Sequence, residues 1–142
     1  MEKNLKVIGR YTGILKNGCF SGGKYFMKQK GLLVVFTGDG KGKTTAAVGS
    51  ALRMIKHGKR VAMVQFFKPS GRHVLPHDKF KVWSCGGGFT WDTSREANQA
   101  AVDKAWKKCR ALLREPKYSM IIFDEIHVAL KYKFLKTADL IR

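Results

Sequence analysis

Cysteine is sparse in this sequence and poorly spaced for a structural role. Cys19, Cys85 and Cys109 are odd in number, far apart and form no C-x-x-C pair. That argues against a disulfide framework or a zinc site and fits reduced thiols in a cytoplasm. Long apolar runs are also missing. The longest, "LLVVF" and "MIIF", fall far short of the roughly 18 to 20 residues that span a bilayer, so no membrane segment is expected. The opening "MEKNLKVIGRYTG" has no continuous apolar stretch and no small-residue cleavage site, so no secretory signal is expected, although its basic character admits a transit or appended segment. Acids are the third scarcity: 10 Asp and Glu face 28 Lys and Arg, for a formal net charge of +18. Such a field attracts polyanions before any specific contact forms, and a merely solvated basic surface accounts for it equally well. At 142 residues and 44% hydrophobic content the chain is expected to build one core and not two full domains.

Residues 1–30 are basic and broken by Gly9, Gly13, Gly18, Gly22 and Gly23. They read as an extension with room for a hairpin. From residue 31 the pattern changes. "GLLVVF" is a continuous apolar run, as expected of a strand covered on both faces. A helix is predicted over 43–57, with Ala46, Ala47, Val48, Ala51, Leu52 and Ile55 on one face and Gly58 as its stop. "RVAMVQF" (60–66) is a second buried strand, so strand, helix and strand form a parallel βαβ unit. Residues 68–88, with two prolines and "CGGG", read as loop with at most one strand at "KFKVWS". Thr93, Ser94, Arg95 and Glu96 match a capping box led by the threonine hydroxyl. The helix it opens runs to about residue 114, with Ala97, Ala100, Ala101, Ala105, Cys109 and Leu112 inward, Trp106 as packing, and Pro116 as terminator. "YSMIIF" (118–123) is the third buried strand, with Asp124 and Glu125 at its carboxyl end. No internal repeat or low-complexity tract interrupts this order.

The chemistry concentrates in "TGDGKGKTT", residues 37–45. A glycine-rich turn between a buried strand and a helix exposes backbone N–H groups, and the helix start adds partial positive charge, which together make a triphosphate cradle. Gly38, Gly40 and Gly42 let the backbone approach the anion, Lys43 reaches phosphate oxygens, and Thr44 ligates a phosphate or Mg²⁺. The match to G-x-x-x-x-G-K-[ST] departs at its first position, where Thr37 stands. A tight turn explains the glycines alone, and a solvated strand end explains Asp124 and Glu125 alone. Together they suggest a nucleotide and a metal, because carboxylates beside a core must be paired, hydrated or metal-bound. His73 and His77, flanking "VLP", read as surface histidines.

Three segments in register, "GLLVVFTGDGKGKTTAAVGSALRMIKHGKRVAMVQFFK", "GGGFTWDTSREA" and "IIFDEIHVALKY", resemble the bacterial ATP:corrinoid adenosyltransferases of cobalamin synthesis and salvage, over nearly all of residues 31–132. The resemblance implies an α/β, RecA-like P-loop NTPase fold with a mainly parallel sheet flanked by helices. Residues 1–30 would then be an extension and 31–142 the adenosyltransferase domain. It implies transfer of the 5′-deoxyadenosyl group of ATP to the cobalt of a reduced corrinoid (cob(I)alamin, cobinamide or cob(I)yrinic acid a,c-diamide) with release of triphosphate. Gly40, Lys41, Gly42, Lys43, Thr44 and Thr45 would bind phosphates, with Mg²⁺ held by Thr44, Glu125 and Asp124. Phe89 and Trp91 would pack on the corrin and help displace the lower axial ligand of cobalt, and Gln65 and Lys68 would line the site. A homodimer, a cytoplasmic location and an electron-donating flavoprotein partner also follow from the resemblance.

The sequence departs from the family in several places. The region 68–86 is shorter, "DTSREA" lacks a residue before its Arg-Glu pair, and His127 replaces an amide or small polar residue. Family members also continue beyond the point where this chain stops, so the sheet is expected to be incomplete at its C-terminal end, with an unpaired edge unless a partner covers it. Two rival readings stay open. A generic P-loop ATPase or kinase would act on the γ-phosphate. An inactive ATP-binding homologue, or a nucleic-acid module using the basic surface, would bind without adenosyl transfer, though no recognition helix or interleaved basic and aromatic stripe supports the module.

Overall fold

The computed structural model describes the main chain of residues 5–11 and residues 32–69, 77–88 and 93–141 in full. Five strands form one sheet in the order β2-β1-β5-β3-β4. They are β1 (Leu5–Tyr11), β2 (Leu32–Thr37), β3 (Val61–Gln65), β4 (Phe80–Ser84) and β5 (Met120–Asp124). The helices are α1 (Lys43–Lys56), α2 (Arg95–Leu113), α3 (Ile126–Lys131) and α4 (Thr137–Ile141). β3 pairs in parallel with both β4 and β5, so that Gln65 stands opposite Ser84 on one side and Asp124 on the other. The segment read as an extension contributes β1, which runs antiparallel to β2 and to β5. Two antiparallel steps return β2 to the direction of β5. The ends of β2, β3 and β5 therefore open on the same side of the sheet.

Alternation along β3 explains the layers, because successive side chains in a strand face opposite ways. Val61 and Met63 pack with Ala47, Ala51, Met54 and Ile55 of α1. Ala62 and Val64 pack with Val102, Ala105, Cys109 and Leu112 of α2. Helices thus cover both faces of the parallel strands. A strand covered on both sides is mostly apolar, and β3 and β5 are buried at every position, with Gln65 and Asp124 as the polar residues at their carboxyl ends.

α1 ends as the sequence indicates. Gly58 adopts φ 75°, its N–H bonds to the Ile55 carbonyl at 2.8 Å, and the Lys59 N–H bonds to that of Met54 at 3.1 Å. This is a Schellman closure, which needs a left-handed residue just past the cap.

Three expectations need correction. β2 is not covered on both faces: Leu32 is 54% and Leu33 63% exposed, because β2 lies at the end of the sheet order and only its later residues reach α1 and the core. The capping box is displaced by one residue. Ser94 Oγ accepts the Ala97 N–H at 3.2 Å, while Thr93 Oγ1 donates to Asn98 Oδ1 at 2.9 Å, so Glu96 has no reciprocal role. The inward face of α2 is also rotated, with Asn98 and Val102 buried where Ala97 and Ala100 are exposed. Trp106 packs edge-on against Phe123, with centroids 6.4 Å apart.

Candidate functional site

The loop between β2 and α1 turns through three left-handed glycines: Gly38, Gly40 and Gly42, at φ 130°, 77° and 101°. No L side chain adopts these angles cheaply, so glycine is required by conformation here. Gly42 caps α1 without a side-chain bond, and no acid occupies the first turn. The first N–H groups of a 14-residue helix therefore face the loop with their partial positive charge unneutralised.

Lys43 folds back into this loop. Its Nζ donates to the carbonyls of Gly38 at 2.7 Å and Gly40 at 2.6 Å. An ammonium has three donors, so one remains for an anion. Behind it a polar chain crosses the ends of three strands. Ser84 Oγ donates to Gln65 Oε1 at 2.8 Å, and Gln65 Nε2 donates to Asp124 Oδ2 at 3.3 Å. Thr44 Oγ1 donates to Asp124 Oδ1 at 3.1 Å. Asp124 is 1% exposed, and a carboxylate at that depth needs a cation. Lys68 supplies it, with Nζ 2.7 Å from Asp124 Oδ2, 2.9 Å from Thr44 Oγ1 and 3.6 Å from Glu125 Oε1. Glu125 holds a left-handed backbone at φ 69°, a conformation uncommon for a non-glycine residue, as it leaves β5 and starts α3.

These groups surround an open pocket of about 360 Å³ lined by Gly40, Lys41, Gly42, Lys43, Thr44, Thr45, Val48, Lys68 and Glu125. Of the residues singled out from sequence, Thr37 ends β2 at the surface and Gly38 contributes its carbonyl to Lys43. Gln65 and Asp124 lie in the layer behind the pocket. Phe89, Trp91 and His73 lie outside the described residues. His77 serves a local turn, its Nδ1 accepting the Lys79 N–H at 3.0 Å. Sequence reasoning missed Ser84, which a serine opposite the glutamine in the neighbouring strand could have signalled, and Val48, one turn into α1. It also missed what distinguishes Gly86. A Cβ there would lie 2.1 to 2.3 Å from the Phe67 main chain, so the segment after β4 is pressed against the stretch that carries Lys68.

A hollow with two ammonium groups and bare helix N–H groups, backed by a buried carboxylate, has the chemistry to receive a polyanion. Residues 29–142 match the family model described as ATP:corrinoid adenosyltransferase BtuR/CobO/CobP. The chain belongs to that family. It is 40% identical over 121 residues to a corrinoid adenosyltransferase of Escherichia coli K12, covering 80% of this chain and 61% of that protein. It is 41% identical over 121 residues to the corrinoid adenosyltransferase CobA of Salmonella typhimurium, with the same coverage. A Sinorhizobium corrinoid adenosyltransferase is 40% identical over 122 residues, covering 80% of this chain and 57% of that protein. The chain therefore spans about three fifths of the length of these relatives.

Proposed function

We propose that this chain binds ATP by its triphosphate and transfers the 5′-deoxyadenosyl group to the cobalt of a reduced corrinoid. The observation that carries the reading is the junction of Lys43, Thr44 and Lys68 with the buried Asp124 at the mouth of the glycine loop, in a chain of this family. In the reaction the electron pair of cobalt(I), part of the substrate, forms the bond to C5′. The C5′–O bond breaks and its electrons leave with triphosphate. Negative charge thus gathers on the leaving group. Lys43 and the α1 N–H groups oppose that charge from fixed positions, with the Lys68 ammonium close by, which lowers the barrier because little reorganisation is left for the transition state.

The donor set fits magnesium. Thr44, Asp124 and Glu125 offer only oxygen. No cluster of three His, Cys, Asp or Glu exists among the described residues, so phosphate oxygens and water would complete the shell, as this ion prefers. Bound there, the ion supplies charge neutralisation on the triphosphate. Thr44 and Asp124 orient one another through their 3.1 Å bond, and Gln65 and Ser84 fix the carboxylate from behind.

The reading extends to a RecA-like P-loop fold, a homodimer, cytoplasmic location, a flavoprotein electron donor, and a corrinoid-facing role for Phe89 and Trp91. No helix among the described residues is long and apolar enough to cross a membrane. The phosphate product tests the reaction class. Incubated without oxygen with MgATP and chemically reduced corrinoid, the chain is expected to release intact triphosphate. Inorganic phosphate or a phosphorylated acceptor would instead show an ATPase or kinase.

A further inference from the structure

Lys68 stands where a cation is needed, its ammonium beside the buried Asp124. Its ammonium contacts the hydroxyl of Thr44 and one oxygen of Asp124 and lies 3.6 Å from Glu125. These are the three side chains assigned above to the divalent ion. A magnesium ion bonds oxygen at about 2.0 to 2.1 Å, so an ion on Thr44 and Asp124 would lie close beside the ammonium that now bridges them. Two such charges cannot share the space in a weakly screened site.

We infer that Lys68 is a built-in counter-cation, which neutralises Asp124 while the site is empty and gives up that place when the metal arrives with the polyphosphate. The inference rests on the divalent-cation site of the proposed function and adds an order to its filling. The surroundings suit such an exchange. Lys68 carries its charge on a flexible stem with rotatable donors, its side chain is 21% exposed, and it already lines the pocket. The main chain before it is pinned. Gly88 N–H bonds to the Phe67 carbonyl at 3.3 Å, and Gly86 lies against the Phe67 backbone. A rotamer change of Lys68 alone therefore moves the ammonium from Asp124 toward the space of the anion. The exchange keeps the buried carboxylate paired throughout, which removes the cost of an uncompensated charge in the empty protein. It also makes the free metal ion a poor ligand. The ion enters only with a polyphosphate that receives the displaced ammonium.

Mn²⁺ binding read by electron paramagnetic resonance tests this without turnover. The nucleotide-free parent chain is expected to bind Mn²⁺ weakly, and Lys68→Met to bind it at least about tenfold more tightly, through removal of one competing charge pair worth at least about 1.4 kcal/mol. Asp124→Asn in the Lys68→Met background should abolish the gain, and Lys68→Arg, which keeps the charge, should not show it. If Lys68→Met does not fold, Lys68→Gln serves the same comparison. Folded neutral variants with the parent's Mn²⁺ affinity would overturn the inference, as would a parent chain that binds Mn²⁺ as tightly alone as with tripolyphosphate. Failure of the underlying site looks different. Tripolyphosphate would then bind the parent chain with no dependence on Mn²⁺, and Glu125→Gln and Asp124→Asn would leave that binding unchanged.

Discussion

Lys43 is held by two loop carbonyls and still has a donor to spare, so its removal costs the ligand more than it costs the fold. A hydrogen bond to a charged group is worth about 1.5 to 3 kcal/mol. Lys43→Ala is therefore expected to weaken ATP binding by roughly ten- to a hundredfold in a calorimetric titration, with a melting temperature close to the parent's. Gly86 is the opposite case. Gly86→Ala forces a methyl group into the Phe67 backbone and should cost about 1 to 3 kcal/mol, as overpacking does, seen as a lower midpoint in urea. An unchanged midpoint would mean that the contact relaxes freely. The loop residues were legible because an anion cradle is local chemistry, written in nine consecutive residues. The Lys68 contacts were not, since its partners lie 24 and 56 positions away and only the fold brings them together. Nor does the triplet "GGG" say which glycine meets a neighbouring chain.

Among the elements, α2 shows how a one-residue difference in its cap accompanies a different inward face. Thr93 is engaged with Asn98, whose amide Nδ2 in turn donates to the Thr93 carbonyl at 3.3 Å, and Ser94 is left to cap. Ser94→Ala should therefore cost about 1 kcal/mol in a thermal melt; no loss would return the cap to Thr93. The same helix buries Cys109. Burial pushes its thiol far above the ordinary range, with Cys85 nearby adding to the rise. Burial also raises the Cys85 thiol, partly offset by the positive charges of Lys104 and Lys108. A thiolate is the reactive form. Alkylation of the native chain near neutral pH, followed peptide by peptide by mass spectrometry, is expected to label Cys85 slowly and Cys109 only after denaturation. Apolar runs revealed β3 and β5 because burial on both faces leaves no polar position before the last residue of each, Gln65 and Asp124. The same signal misplaced β2, since sheet order decides which strand lies at the edge.

For the molecule as a whole, the sequence conveyed the alternation of strands and helices and hence the layers on the two faces of the parallel strands. It did not convey that β1 would stand between β2 and β5, because strand order follows from long-range pairing. Net charge acts at this scale as well. At +18 the field should speed the encounter with ATP, and salt screens it, with a Debye length of about 10 Å at 0.1 M and about 3 Å at 1 M. Stopped-flow association of ATP should slow clearly over that range, with the dissociation rate changing less. The measurement that tests the central claim most directly is formation of the cobalt–carbon bond. The chain is mixed without oxygen with MgATP and cob(I)alamin, and the corrinoid spectrum is followed beside a Lys43→Ala control. The account predicts a light-sensitive adenosylcorrinoid made by the parent chain and not by the control. Bound ATP with no such product, or equal product from both chains, would contradict it.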